Sequence, residues 1–191
     1  IIGMIFVAQL GHEQLAAGAL VSSTYIALLV LATGSMYSVS ILIAATSREQ
    51  ITHRRVIFHS AIVVGFILVL PIAIVFYFCN EIFSLFKQPQ DLIHIAVGYF
   101  HIMIFALPLI VLYMVLQQYF IGTERPGINL KVTVFSLIST TVLSYILILG
   151  KLNFPVFGLK GLALAQLFSL FLICILSVSY THLTLPTIGE V

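Results

Sequence analysis

Charge is what this sequence has least of. Of its 191 residues, 7% are Asp, Glu, Lys or Arg, while 61% are hydrophobic; soluble domains average about 25% charged and roughly 45–50% apolar residues. Eight basic and six acidic side chains cannot keep a 21 kDa globule dissolved. Soluble enzymes, nucleic-acid binders and disordered chains are thereby excluded. The formal charge of +2 is too small and too scattered to hold a polyanion, so no nucleic-acid partner is expected. Cysteine is scarce as well. Cys79 and Cys174 both lie in apolar runs, with neither a disulfide framework nor metal-ligand spacing. Tryptophan is absent. Only an integral membrane protein fits this composition.

What is present is a series of long stretches without Asp, Glu, Lys or Arg, at 14–47, 56–80, 92–123, 132–150 and 161–189. A spanning helix needs about 20 mostly apolar residues. The first and third stretches are too long for one perpendicular crossing and too short for two, so each is expected as a single tilted helix. Helices are favoured because hydrocarbon punishes unpaired backbone groups, and the alternation of barrel strands is missing. The expected spans are 1–9, 15–43, 56–79, 92–122, 130–150 and 160–179. Between them, Gly11-His12-Glu13-Gln14 is a polar turn, and Gly122 to Gly127 is a turn with breakers at each end. Ile82, Phe83, Leu85 and Phe86 form an apolar face suited to the membrane surface.

Orientation follows from the basic residues. The second and fourth connectors hold Arg48, Arg54, Arg55, Arg125 and Lys131; the other three hold Lys87, Lys151 and Lys160. The second and fourth are therefore expected on the cytoplasmic side. Ile1 opens inside an apolar segment too short to cross, so the first span is expected to be truncated. At the other end, Ser179-Tyr-Thr-His-Leu-Thr-Leu-Pro-Thr187 breaks the composition abruptly. It resembles translated adapter read-through at the ends of metagenomic gene models, the alternative being a short extramembrane tail. Residues 1–178 are expected to form one transmembrane unit, and no functional argument rests on residues beyond it.

Three blocks carry a family resemblance. Gln9-Leu-Gly-His-Glu-Gln-Leu-Ala-Ala17 opens the second span. Tyr99-Phe-His-Ile-Met-Ile-Phe-Ala-Leu-Pro108 is followed by Leu116-Gln-Gln-Tyr-Phe-Ile-Gly122 and the Arg125-Pro126 turn. Gly150-Lys-Leu-Asn-Phe-Pro155 then precedes Gly158-Leu-Lys-Gly-Leu-Ala-Leu-Ala165. In order and spacing they resemble the amino-terminal half of multidrug and toxic compound extrusion (MATE) transporters over residues 1–178. The resemblance implies an all-α, polytopic transmembrane helical bundle, one six-helix lobe of a twelve-helix protein. It implies ion-coupled antiport, with Na⁺ or H⁺ as the coupling ion and no other cofactor. The cargo would be small amphipathic, cationic organic compounds, and the location the plasma or inner membrane. The implied partners are cargo, membrane lipid and the missing carboxy-terminal lobe, because alternating access needs two bundles moving about a shared site.

The resemblance also places candidate residues. A span-one position that is commonly Asp in the family falls on Gly3. Two Asn or Asp positions of the fifth span fall on Thr140 and Ser144, and a polar position early in the sixth falls on Gln166. All six acids, Glu13, Glu49, Glu81, Asp91, Glu124 and Glu190, lie in expected connectors or the tail. No membrane carboxylate is therefore expected in this lobe, and coupling carboxylates are expected in the missing half.

Other polar groups are candidates because burying them in a membrane is costly. Thr140 and Ser144 are one turn apart and share a helix face; they either line a cavity or bond to carbonyls and neighbouring helices. Gln117 or Gln118 is a cavity candidate. Tyr37, with Ser38 and Ser40, faces either the cavity or the membrane interface. His101, well inside a span, either moves a proton or bonds across helices. The small residues Gly158, Gly161, Ala163 and Ala165 are expected to permit close helix packing, as are Gly34 and Gly65. Among other functions, a lipid-linked saccharide flippase of the related superfamily would call for a cationic cavity, and Lys and Arg are absent from the span interiors. A membrane enzyme would need clustered His, Asp or Glu at depth. A non-transport bundle or channel would show a filter or charged ring.

Overall fold

The computed structural model describes residues 2–46, 50–124 and 126–184. Among these the secondary structure is helical throughout: α1 (Ile2–Ala8), α2 (His12–Ala45), α3 (Ile51–Tyr77), α4 (Cys79–Leu85), α5 (Gln90–Gly122), α6 (Pro126–Leu149) and α7 (Leu159–Thr184). Five of them, α2, α3, α5, α6 and α7, are long and apolar enough to cross a membrane. At 34 residues, α2 is about 51 Å long and outruns a hydrocarbon core of about 30 Å. The chain is a multi-pass membrane protein. The short α4 contains the apolar residues Ile82, Phe83 and Leu85. Arg48, Glu49 and Arg125 lie outside the described residues, as does the tail from 185 onward.

The helix ends follow local chemistry. Gly11, at φ 113°, makes the corner before α2, a backbone conformation that favours glycine. α6 starts on Pro126, whose missing N–H costs nothing in a first turn. It ends on Gly150 at φ 64°, where the Lys151 N–H donates back to the Ile146 carbonyl at 3.0 Å and satisfies an orphan acceptor. The start of α7 is held from elsewhere. Gln14, in the first turn of α2, accepts the Leu159 N–H on its Oε1 at 3.1 Å. Helices α3 and α5 continue through Pro71 and Pro108, each of which forfeits one backbone hydrogen bond.

α5 is the hub, with α2, α3 and α7 all packed on it. It runs parallel to α7: Tyr99 meets Gln166, and ten residues on, the Leu109 carbonyl accepts from Cys174 Sγ at 3.4 Å. α6 packs on α7, and α1 leans on α6 and α2. The core between α2, α3, α4 and α5 is aromatic. Phe76 and Phe100 have ring centroids 4.7 Å apart, and Tyr25, Phe83 and Tyr99 surround them.

Small residues set the closest approaches. A Cβ on Gly161 would stand 2.6 Å from the Leu147 carbonyl oxygen of α6, and one on Gly65 would stand 2.5 Å from Val111 Cγ1. Gly34 differs from the expectation of close packing: a Cβ there would meet nothing within 4 Å. Gly161→Ala should therefore cost about 1–3 kcal/mol, because backbone must shift to admit it, whereas Gly34→Ala should not destabilise. Thermal unfolding of the two variants in detergent checks this, and equal melting points would contradict the α6–α7 contact.

Candidate functional site: an uncharged cavity with a hydroxyl-bearing wall

Five helices contribute to a cavity of about 570 Å³ at the end of the bundle that carries the α1–α2 and α6–α7 connections. Its walls follow helical periodicity. α6 supplies Leu137, Thr140, Thr141 and Ser144; α2 supplies Ser22, Tyr25 and Ile26; α7 supplies Leu162 and Gln166. Tyr99 enters from α5, and the first turn of α1 adds Ile2, Gly3 and Met4. Spacings of three and four residues put each set on one face. No Asp, Glu, Lys, Arg or His is among these residues.

Hydrogen bonds order the polar wall. The Tyr99 hydroxyl donates to Gln166 Oε1 at 2.6 Å. Ser169, buried on α7, has its Oγ 2.7 Å from both Ser139 Oγ and Thr140 Oγ1 on α6. Ser139 also donates to the Ser136 carbonyl at 3.1 Å. Ser22 donates to Met4 Sδ at 3.6 Å, and Thr141 to the Leu137 carbonyl at 2.7 Å. Ser144 is different: its Oγ is buried and has no partner. Gly3 sits beside it. A Cβ on Gly3 would lie 3.7 Å from Ser144 Oγ and would clash with Leu162 Cδ1, so the Leu162 side chain occupies the space a residue at position 3 would need.

The structure thus brings Thr140, Ser144 and Gln166 to one cavity, with Gly3 beside them. It does not bring Tyr37, His101 or Gln117 there. Tyr37 is exposed on α2, twelve residues and about 18 Å beyond Tyr25 along the helix. Gln117 is half-buried on α5, about 27 Å along from Tyr99. His101 is exposed, with its ring 6.4 Å from that of Tyr77. Ser38 and Ser40 bond to carbonyls of their own helix. Ser22, Tyr25, Tyr99, Thr141 and Ser169 were not singled out from sequence. The i, i+3 pair Ser22 and Tyr25 was the available signal, and Tyr99 opens one of the matched blocks.

Residues 1–146 match the MatE family. The chain belongs to that family. Its relatives include the probable multidrug resistance protein NorM of Rhizobium meliloti (strain 1021), 32% identical over 166 residues, which are 86% of this chain and 35% of that protein. NorM of Brucella suis biovar 1 (strain 1330) is 27% identical over 165 residues, 85% of this chain and 35% of its own. The chain therefore spans about a third of the length of the curated relatives it matches. In fold, it resembles a solved multidrug resistance MATE family transporter of the MOP superfamily in its inward-facing conformation. That likeness has a TM-score of 0.81 at 21% identity, covering 94% of this chain and 40% of the other. MATE proteins are transporters rather than enzymes.

The hydroxyl cluster and the lone Ser144 make opposite stability predictions. Ser169→Ala strands the Thr140 hydroxyl, removes the bond that Ser139 accepts, and should cost about 1–3 kcal/mol. Ser144→Ala removes a group with no partner and should be neutral or stabilising. Denaturation midpoints of the two variants check the contrast, which a shared loss would refute.

Proposed function

We propose that this chain is one lobe of a secondary transporter that exports small amphipathic, cationic organic compounds across the plasma membrane in exchange for Na⁺ or H⁺. The observation carrying this reading is the cavity: an uncharged, mostly apolar hollow with hydroxyl and amide groups on its wall, set among helices of which four are long enough to cross a membrane. Its volume of about 570 Å³ suits a drug-sized ligand, for which pockets of roughly 300–1,000 Å³ are usual. The names of the relatives support multidrug export as the cargo class. Alternating access requires a second bundle to rock against, so the working protein includes a carboxy-terminal lobe.

Neutral oxygens can ligate a small cation, but only weakly without a carboxylate. Coupling is therefore assigned to acidic groups outside this cavity, in the other lobe. The lining also weighs against a lipid-linked saccharide flippase, which would need fixed positive charge to hold a pyrophosphate.

In the full-length protein, Thr140→Ala combined with Ser144→Ala should slow efflux of a cationic dye by about two- to tenfold, the range expected for lost neutral hydrogen bonds. Ion dependence should be unchanged. Dye efflux from energised cells at varied Na⁺ and pH checks this; abolished ion dependence would put the coupling site in this lobe.

A further inference from the structure

The direction of every hydrogen bond in the α6–α7 hydroxyl cluster can be deduced. The Ser136 carbonyl can only accept, so Ser139 donates to it at 3.1 Å. With that proton committed, the 2.7 Å contact between Ser139 and Ser169 must be a donation from Ser169. Ser169 then has no proton for its other 2.7 Å neighbour, and Thr140 donates to it. All three bonds coexist in this arrangement only. Thr140, which lines the cavity, therefore carries an oxygen with free lone pairs and no available proton.

The same accounting applies around the wall. Six hydroxyls line the cavity: Ser22, Tyr25, Tyr99, Thr140, Thr141 and Ser144. Four have their protons committed to protein acceptors, on Met4, Gln166, Ser169 and the Leu137 carbonyl. The hydroxyls of the wall are thus biased toward accepting hydrogen bonds, the Gln166 NH₂ being the other donor there, and the wall holds no carboxylate.

We propose that this cavity selects cations bearing N–H groups over quaternary cations, with Thr140 as a specificity-determining residue. The proposal rests on the efflux reading above. Where no ion pair is available, a cation entering the cavity must recover its lost hydration from neutral oxygens. An ammonium or guanidinium N–H does so through short charge-assisted bonds. A quaternary nitrogen, shielded by methyl groups, has no hydrogen to give and keeps the same oxygens at a distance.

The test is competition with efflux of a fluorescent cationic dye by the full-length protein in everted membrane vesicles. The competitors are an arylmethylammonium ion and its N,N,N-trimethyl derivative. The primary ammonium should inhibit at a roughly tenfold lower concentration, the usual worth of a hydrogen bond to a charged group. Thr140→Val should raise its inhibition constant by about tenfold and leave that of the trimethyl ion unchanged; Thr140→Ser, which keeps the acceptor, should restore it. Equal inhibition by both ions in the unmutated protein overturns the selectivity and leaves efflux standing, even if the valine variant fails to fold. An equal weakening of both ions by Thr140→Val also overturns it. Absence of dye efflux from the unmutated protein would overturn the efflux reading, and this proposal with it.

Discussion

Inside hydrocarbon a polar hydrogen has to end on a protein atom, because no water is there to take it. That constraint organises this lobe. Several hydroxyls on the long helices return their protons to a carbonyl one turn back, as Thr24, Thr33 and Ser38 do. Others mark where helices are joined rather than merely adjacent. Ser169 links α7 to α6 through two hydroxyls, and Tyr99 links α5 to α7 through an amide. These bonds surround the cavity, so the polar groups that knit the bundle are also those that give the hollow its chemistry.

The transverse architecture was legible from composition because charge and apolar runs alternate sharply along the chain. The helix faces were not. α2 and α3 are apolar around their whole circumference, and without an apolar stripe there is no periodicity to say which side meets a neighbour. Polarity alone also misplaces depth. Gln117 and Tyr37 are polar residues in long apolar helices, as Thr140 is, but they sit several turns from the cavity level. Thr140 and Ser144 stood out because they share a face, and Gln166 because a family position falls on it. Tyr25 and Tyr99 carry weaker signals, a shared face with Ser22 and a place in a matched block, because tyrosine is ordinary in membrane helices.

Gly3, the position where the resemblance implies an acidic residue, has a counterpart on the facing helix. Gly3 removes a side chain, and Leu162 reaches across from α7 into the space left. One vacancy is filled by apolar bulk from the facing helix, and Ser144 Oγ beside it is left without a partner. Such a buried orphan normally carries a cost of about 1–3 kcal/mol. It is the one cavity hydroxyl that is at once deeply buried and bonded to nothing in the protein.

Gln14 has a wider reach than a cap. Its amide belongs to the first turn of α2 and its hydrogen bond to the first residue of α7, while Gly158 packs against the same side chain. Leu162 and Gln166 follow about one and two turns below that bond, opposite Ser22 and Tyr25. One side-chain amide thus ties the two facing panels of the hollow together near the starts of both helices.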